Sequence, residues 1–427
     1  MRSVHFERRS RLQIMTPVDS GALRRSGEAM TPAQAEQLMF ARIVATPPEL
    51  LPLAECWGAA LLEEVIADRA QPPCDRVLVD GVALSYAALT GGRRRFRRQG
   101  LQAAGEPPIR LASVDDCIEV TTGAVLPDGC DAVVPLEALE VAGEAVAVSA
   151  WWSPPSDANV RRTGTEARAG QVLISPGVIL KAPEIAAAAA VGRIALTVRR
   201  PPRVRSLSVG TELVDVGDPV EPWQVRRATM AALSATLRRH GIPELGSDHV
   251  GDDPDRLPGR IASGLEGSDV LVLCGATGRG ARDFLAAALG DAGATCLVHG
   301  VAQRPGGSMW FGVGPGKQLI FALPGSVAAT LSCLARYVIP TLRRMAGRSS
   351  PEPKSVVLAD GITTGDPTCR FVPVVLSGHA ARTAYAATRS LGSPGDMLSL
   401  LASDGIVEVA PAGGPVDAGA VVPFYSW

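Results

Sequence analysis

The chain has 427 residues, a length that predicts several domains, because single hydrophobic cores rarely grow beyond about 250–300 residues. Its 42 basic and 43 acidic residues leave a net charge of −1, so bulk electrostatics favour no polyanionic partner. Only 4% of the residues are aromatic, which argues against a stacking surface for single-stranded nucleic acid. We therefore expect a globular protein with no nucleic-acid partner.

The first 30 residues are expected to be a poorly ordered leader, and a helix is predicted to begin at Thr31, which can cap Pro32 at the first helical position. Apolar residues recur on one face of this helix at Ala35, Leu38, Met39 and Ile43. A second helix is predicted near residues 53–65. Residues 71–75 then form a proline-rich linker.

Residues 76–155 predict a small β-rich unit, because short apolar stretches alternate with turn residues. Strands are expected at Ile118–Thr121, Ala132–Pro135 and Ala145–Ser149. The basic run Arg93–Arg98 lies in this unit, and a solvated loop or helix end is its simplest interpretation. Mixed strand and helix follow from Asn159 to Arg200.

The dipeptide Pro201-Pro202 marks the clearest boundary, because strands and helices alternate after it. Strands are expected at Val204–Val209, Val270–Leu273 and Gln318–Leu323, and helices at Ala231–His240 and Phe284–Leu289. This alternation predicts a parallel sheet with helices on both faces, which binds ligands at the carboxyl ends of its strands. A β-rich unit is expected after the proline-rich joint at residues 349–354.

Three loops follow strands of this predicted sheet, at residues 210–212, 275–283 and 324–326. In the middle loop, glycines expose backbone N–H groups that can hold an anion. Thr277 adds a hydroxyl, and Asp283 adds a carboxylate that could orient a metal or a proton. The loop is neither a Walker A motif nor a dinucleotide fingerprint, and a tight turn that needs glycine is the structural alternative.

The eight cysteines are scattered, with no CxxC pair and no histidine at metal-ligand spacing, so a zinc site is not expected. No secretory signal follows Met1, and no uninterrupted apolar run has transmembrane length. These features favour a reduced, cytoplasmic protein with no membrane partner.

Seven stretches, in this order along the chain, match the motifs of one family. Pro72–Ala83 is similar to PPFDNSAMDGYA, Thr121–Val134 to MTGAPVPEGADAVV, Asn159–Gly164 to NIRRxGED, Ser208–Leu213 to STGDEL, Gly251–Pro254 to RDDP, Arg304–Gly307 to KPGK, and Leu323–Ala328 to LPGNPV. From about Thr31 onwards, the chain therefore resembles the molybdopterin molybdotransferase family (MoeA and the gephyrin E-domain).

The resemblance implies a multidomain α/β fold and an elongated homodimer. Its four domains would be a mixed α/β linker and dimer domain I (31–75 and 156–200), a β-rich insert domain II (76–155), a molybdopterin-binding, MogA-like α/β domain III with a parallel-rich sheet (201–347), and a β-rich domain IV (348–427). The active site would lie between domain III of one subunit and domain II of the other.

The resemblance also implies the reaction. Family members bind adenylylated molybdopterin, hydrolyse its anhydride with molybdate and a divalent cation, here Mg²⁺, and release AMP with the finished cofactor. Further partners implied are a molybdopterin adenylyltransferase or a molybdoenzyme chaperone. Family positions give Asp80 and Glu166 as catalytic residues, Asp252 as a metal ligand, and as substrate-binding residues Thr122, Gly123, Arg161, Ser208, Glu212, Gly275, Thr277, Gly278, Asp283, Pro324, Gly325 and Ser326.

Structural alternatives stay open for several of these residues. Asp80 could be an ordinary turn aspartate before Gly81, and Glu212 could form a salt bridge. Arg161 and Arg162 could bind phosphate or molybdate, or could form surface ion pairs. Thr122 and Gly123 could serve partly to shape a turn.

The chain departs from the family at positions that carry chemistry, which makes it a divergent member. Glu166 is the only acid of the family's GED step, and Arg227 stands where the family's DxN motif has an acid. Ser326 replaces the asparagine of LPGNPV, and residues 274–283 are more similar to the GGTGxxxRD loop of the molybdopterin adenylyltransferases. Two main hypotheses follow: a molybdotransferase with several acidic residues replaced, and an accessory protein that binds molybdopterin without hydrolysing the anhydride. Reuse of the scaffold for an unrelated role is a third.

Overall fold

The computed structural model describes residues 30–152, 157–277, 284–349, 353–363, 367–377, 385–388, 397, 400–411 and 414–427. The chain forms two compact units, Pro47–Arg200 and a second unit made of Pro201–Trp427 together with the chain before Pro47. The predicted leader lies outside the described residues except for Met30. The four-domain boundaries stay predictions.

The first helix, α1 (Pro32–Phe40), begins as predicted with a capped N-terminus, but it ends before Ile43, which was expected on its apolar face. The Thr31 hydroxyl accepts the Gln34 N–H, and the Gln34 side chain in turn accepts the Thr31 N–H at 2.9 Å. Ala35 and Met39 on its apolar face are buried in the core of the Pro201–Trp427 unit.

The Pro47–Arg200 unit is mostly β-structure. Its strands are β1 (Pro48–Pro52), β2 (Ala60–Leu61), β3 (Val65–Ile66), β4 (Arg76–Val77), β5 (Gly81–Leu84), β6 (Arg95–Gln102), β7 (Asp116–Val120), β8 (Ala132–Pro135), β9 (Leu139–Ala142), β10 (Ala145–Val148), β11 (Val160–Arg161), β12 (Val172–Ile174) and β13 (Ala195–Arg199). Its helices are α2 (Tyr86–Thr90) and α3 (Ala182–Ala190), with short 3-10 turns at Leu53–Glu55 and Leu136–Ala138.

The predicted β-rich region is confirmed as a sheet with the strand order β8-β5-β7-β6-β10-β9. The predicted helix over residues 53–65 is wrong. The chain there makes a 3-10 turn and then the strands β2 and β3, because Gly58 has a φ of +71° and Ala60 and Leu61 pair with β13 instead. Tertiary pairing overrides a local helical pattern in this stretch.

The basic run Arg93–Arg98 is also not a loop or helix end, because most of it belongs to strand β6. Phe96 is buried on one side of this strand, and the arginines meet acids on or near the neighbouring strand β7. Arg97 binds Asp116 at 3.0 Å, and Arg98 binds Glu119 at 2.8 Å. The run is therefore largely neutralised within its own unit.

The Pro201–Trp427 unit has the predicted alternation of strands and helices, followed by strands. The strands are β14 (Val204–Val209), β15 (Leu213–Val214), β16 (Val225–Arg226), β17 (Glu244–Val250), β18 (Val270–Cys274), β19 (Thr295–His299), β20 (Gln303–Arg304), β21 (Trp310–Val313), β22 (Leu319–Leu323), β23 (Lys354–Leu358), β24 (Cys369–Ser377), β25 (Tyr385–Thr388), β26 (Gly405–Val409) and β27 (Val421–Ser426). The helices are α4 (Ala228–Arg239), α5 (Leu257–Leu265), α6 (Leu285–Asp291), α7 (Val327–Cys333) and α8 (Ile339–Met345), with a π-helical turn at Leu334–Val338.

The main sheet of this unit has the strand order β17-β14-β18-β22-β21-β19. Strands β17, β14, β18 and β22 pair in parallel, and β21 and β19 pair antiparallel at one edge. Buried clusters cover both faces, one with α1, α4 and α8 and the other with α5 and α6. The prediction of a parallel-rich sheet between helices is confirmed.

The last strands close on themselves, since β24 pairs with both β25 and β26, which connect through β23 and β27. The C-terminal β-rich region is thus a small barrel with a buried apolar interior. Across the described stretches of the whole chain, no helix is long and apolar enough to cross a membrane.

Candidate functional site

The carboxyl ends of β14, β18 and β22 meet at one edge of the main sheet. These strands are neighbours in parallel register, so Ser208 lies beside Cys274, and Cys274 beside Leu323. The loops that follow are in contact, because the Gly275 N–H donates to the Leu323 carbonyl at 2.9 Å. The sequence predicted this meeting of the three loops.

Gly275 is required at this edge by its surroundings. Its φ is +106°, and a β-carbon there would lie 2.2 Å from the Val209 carbonyl oxygen. A β-carbon on Gly325 would lie 3.6 Å from the Gly275 α-carbon, so the two loops pack backbone against backbone. The structural explanation is therefore correct for Gly275, the described glycine of the loop after β18.

The other predicted residues of these two loops are placed as follows. Thr277 is buried, and its hydroxyl lies 3.0 Å from the Ser308 hydroxyl. The Pro324 carbonyl accepts a hydrogen bond from the Thr330 hydroxyl at 2.7 Å, and Ser326 precedes the first turn of α7. The predicted residues Gly278 and Asp283 lie outside the described residues.

Arg227 stands at the start of α4 beside the end of β14. Its Nη1 donates to the hydroxyl of the buried Ser208 at 3.4 Å, and its Nη2 binds Asp215. The Ser208 hydroxyl also lies 3.0 Å from His249 Nδ1. Burial lowers the pKa of His249 despite its hydrogen bond to the Ser208 backbone, so the ring is neutral at pH 7. A fixed guanidinium thus occupies the position where the family has an acid.

Glu212 and Asp252 lie in loops at this same edge. The Glu212 carboxylate folds back over Gly210, where a β-carbon would meet it at 2.5 Å, and within the described residues it forms no ion pair. The Asp252 N–H donates to the Thr211 hydroxyl at 2.9 Å. No group of three or more histidine, cysteine or acidic side chains that could hold a metal is found in the described part of the chain. The residues present do not form a metal cage, and the metal-ligand role of Asp252 stays a prediction.

Asp80 is exposed at the surface of the Pro47–Arg200 unit and holds the loop that contains Thr122. One carboxylate oxygen accepts the Thr122 N–H at 2.7 Å and the Thr122 hydroxyl at 2.9 Å. These hydrogen bonds, the backbone one first, lower the pKa of Asp80, so the carboxylate is ionised at neutral pH. Gly123 completes the loop with a φ of +86°. Asp80 and Thr122 therefore do stabilise this turn. The second carboxylate oxygen of Asp80 takes no part in these hydrogen bonds and remains exposed and charged.

Arg161 and Glu166, which were predicted separately, bind each other at 2.6 Å on the surface. The ion-pair alternative for Arg161 therefore holds. Arg162 likewise binds Asp75 and Asp157.

Asp75 was missed by the sequence reasoning and repeats the arrangement of Asp80. One of its oxygens accepts the Thr163 N–H at 2.8 Å and the Thr163 hydroxyl at 2.9 Å. Its position in the Pro72–Ala83 motif was the available signal. His249 and Asp215 were also missed, and no local pattern marks them, because they join the site only through the pairing of β14 with β17 and the fold of the loop before α4.

Three family models together match most of the chain. The MoeA N-terminal region (domain I and II) matches residues 30–192, the probable molybdopterin binding domain matches residues 205–344, and the MoeA C-terminal region (domain IV) matches residues 355–427.

Curated proteins and solved structures agree with these matches. A molybdopterin molybdenumtransferase from Synechocystis is 31% identical over 372 residues, which cover 87% of this chain and 93% of that protein. Molybdopterin molybdenumtransferase 1 of Mycobacterium tuberculosis is 29% identical over 331 residues, covering 73% of this chain and 77% of that protein. A crystal structure of a molybdopterin biosynthesis MoeA protein from Pyrococcus is similar with a TM-score of 0.74 and 25% identity, and the match covers 93% of this chain and 99% of that one.

Proposed function

The chain belongs to the MoeA family and acts in molybdenum cofactor biosynthesis, and from that premise we propose that it inserts molybdate into adenylylated molybdopterin with release of AMP. This proposal rests on the three loops after β14, β18 and β22, which meet at the carboxyl edge of one parallel sheet. Glycine-containing loops and a fixed cation at such an edge suit a ligand with phosphate groups.

The chain's own residues have these roles in the proposal. The loops after β18 and β22 bind the pterin phosphate through backbone groups near Gly275, Thr277 and Ser326. Arg227 supplies positive charge for the anhydride, and the Asp215 carboxylate orients its guanidinium. Asp80 supplies the ionised carboxylate that orients the attacking oxygen, in a loop held by Thr122.

Mg²⁺ belongs to the proposal only as an ion that arrives with the phosphates of the substrate. Magnesium commonly binds through one or two carboxylates plus substrate phosphates, rather than in an all-protein cage. Glu212 and Asp252 are the acids at the sheet edge that fit this role. The described residues form no preassembled ligand set for the ion.

The accessory-protein alternative is not favoured, because the relatives are named molybdenumtransferases and the exposed carboxylate of Asp80 is retained. We propose further that the protein acts as a homodimer in the cytoplasm. The cysteines support a reducing compartment, since no disulfide forms among the described residues.

The test is direct. Purified protein is incubated with adenylylated molybdopterin, molybdate and Mg²⁺, and AMP release is followed beside a binding titration of molybdopterin. Molybdate-dependent AMP release is the expected result. Tight pterin binding with no AMP release under any metal condition would instead identify a carrier.

A further inference from the structure

A cavity of about 250 Å³ lies in the Pro201–Trp427 unit, between helices α1 and α8 and strand β27. At roughly 30 Å³ per water molecule, its volume equals that of about eight waters. Its apolar lining includes Ile339 and Phe424, and its positively charged lining includes Arg343, Arg344 and Lys354, with the Arg344 guanidinium 4.1 Å from the centre of the Phe40 ring. An apolar wall with convergent basic groups is typical of a site for a small organic ligand.

The positive charge of Arg343 is not neutralised by any acid in the described part of the chain. Its Nε and Nη2 donate to the Ser349 backbone carbonyl at 3.3 and 3.2 Å, and no salt bridge is formed. Burial lowers the pKa of this guanidinium, and no neighbouring acid opposes the effect.

A second arginine near the cavity, Arg348, also forms no salt bridge in the described part of the chain. Arg348 is only 8% exposed, and its Nη1 donates to the His240 carbonyl at 2.9 Å. Its Nε is buried and has no hydrogen-bond partner among the described residues. The Arg343 charge acts on Arg348 as well, so two guanidinium groups repel each other across this cluster.

The acid in the cavity wall does not compensate them. Glu36 binds Arg336, a buried arginine whose Nε also binds Glu408 at 2.7 Å. The His240 carbonyl, at the C-cap of α4, accepts a hydrogen bond from Arg348, so helix capping explains that contact. The Ser349 carbonyl, which accepts from Arg343, lies four residues beyond the end of α8. Capping explains neither the cavity nor the position of Lys354 at its rim.

We propose that this cavity is a second ligand site, which binds a small aromatic or similarly apolar molecule carrying a phosphate or carboxylate group. The ring lies against Ile339 and Phe424, and the acid group lies against Arg343 and Lys354. A bound oxyanion supplies the negative partner that Arg343 lacks, and this charge-assisted pairing offsets the cost of removing the anion from water. The site involves none of the loops at the carboxyl edge of the main sheet.

The experiment uses the full chain and four probes in calorimetric titrations: phenyl phosphate, benzoate, phenol and inorganic phosphate. We expect at least one of the two aromatic anions to bind about tenfold or more tightly than both phenol and inorganic phosphate, because only an aromatic anion uses both walls. The stronger of the two identifies the acid group.

Two variants locate the binding. Arg343→Gln is expected to weaken the aromatic anion about tenfold or more by removing the charge. Ala335→Phe is expected to abolish binding by filling the cavity, which Ala335 lines, without changing any charge. Arg238→Gln, an exposed arginine on α4 outside the cavity lining, is the matched control and is expected to bind normally.

Several outcomes overturn the proposal. The first is equal affinity for phenol and for both aromatic anions. The second is unchanged affinity in Arg343→Gln and Ala335→Phe. The third is competition between the aromatic anion and AMP, which would show that the anion binds at the carboxyl edge of the main sheet instead. If Arg343→Gln fails to fold, Lys354→Gln takes its place in the same comparison. The AMP-release assay is run separately, so failure of this site leaves the proposed reaction untouched.

Discussion

Asp80 uses one carboxylate oxygen for two hydrogen bonds, so its loop geometry and its charge can be separated by mutation. In Asp80→Asn the side-chain carbonyl can still accept the Thr122 N–H, while the negative charge is lost. We expect AMP release to fall by at least about a hundredfold with the fold retained, since removing one preorganised electrostatic group costs on the order of 3 kcal/mol. Thr122→Ala, which keeps the charge, is the control and should lose far less. Rapid turnover in Asp80→Asn would remove Asp80 from the catalytic residues.

Replacing Arg227 by an acid is expected to raise AMP release, whereas replacing Asp80 is expected to lower it. Arg227→Asp would place a second carboxylate next to Asp215, which now binds the guanidinium. Two neighbouring carboxylates repel each other and favour a divalent cation. We expect AMP release that rises with Mg²⁺ concentration, and a melting temperature that increases on Mg²⁺ addition in the variant only. Arg226→Gln is the neighbouring control, and a variant indifferent to Mg²⁺ would contradict the prediction.

The environment of His240 predicts that the free energy of unfolding depends on pH. Burial first, and then the charges of Arg343, Arg239 and Arg348, lower its pKa from 6.5 to about 4. The unfolded chain therefore binds a proton between these pH values that the folded chain does not, so stability falls as pH drops through this window. The loss from pH 7 to pH 5 is about 2 kcal/mol. NMR titration of the histidines should give the low pKa, and His240→Gln should flatten the stability profile. A pKa near 6.5 would contradict the burial.

At this scale, motifs in the sequence mark positions along the chain but do not predict which side chains those residues contact. Asp80, Thr122 and Gly275 follow from motifs that are contiguous in the chain. The bonds from Arg227 to Asp215 and from Ser208 to His249 join different elements and have no local signature. Arg161 and Glu166 were each predicted as site residues from their motif positions, but their side chains form an ion pair with each other, which the motifs did not predict.

The helices and strands that were predicted correctly have a clear hydrophobic pattern and recognisable residues at their ends. Strand β18 is apolar throughout and ends at Cys274, directly before Gly275, and α1 has its capping box. The stretch at residues 53–65 has apolar residues at helical spacing, but β13 provides an open edge with which Ala60 and Leu61 pair. Strand β6 was missed because its run of arginines hides the alternation that buries Phe96.

The loop after β18 gives a prediction at the scale of the element. In Gly275→Ala the new methyl group would lie 2.2 Å from the Val209 carbonyl oxygen, at a φ that alanine rarely adopts. The loop must move, so we expect loss of molybdopterin binding and a destabilisation of about 1–3 kcal/mol. Gly259→Ala in α5, where a β-carbon meets nothing within 4 Å, should instead stabilise the protein by up to about 1 kcal/mol. Normal pterin affinity in Gly275→Ala would place the ligand elsewhere.

For the whole molecule, the Pro47–Arg200 unit carries an apolar surface that suits the proposed dimer. Ile194 is 87% exposed, Leu50 is 66% exposed on the adjoining strand β1, and the alanine-rich helix α3 leaves Ala186, Ala189 and Ala190 exposed. Large exposed apolar side chains such as Ile194 and Leu50 are common where a protein meets a partner, so we propose this side of the unit as the dimer contact.

Sedimentation should therefore show a dimer at micromolar concentration, and Ile194→Asp should shift it toward monomer, because a buried charge without a partner opposes association. Leu136→Asp, an exposed residue of the same unit, is the control and should sediment as wild type. If the active site is shared between subunits, as the family resemblance implies, Asp80→Asn and Gly275→Ala protomers should recover part of the AMP release when mixed, since a mixed dimer then contains one intact site. Mixtures as inactive as either variant alone would show that each subunit works by itself, and a monomeric wild-type protein would rule out the dimer altogether.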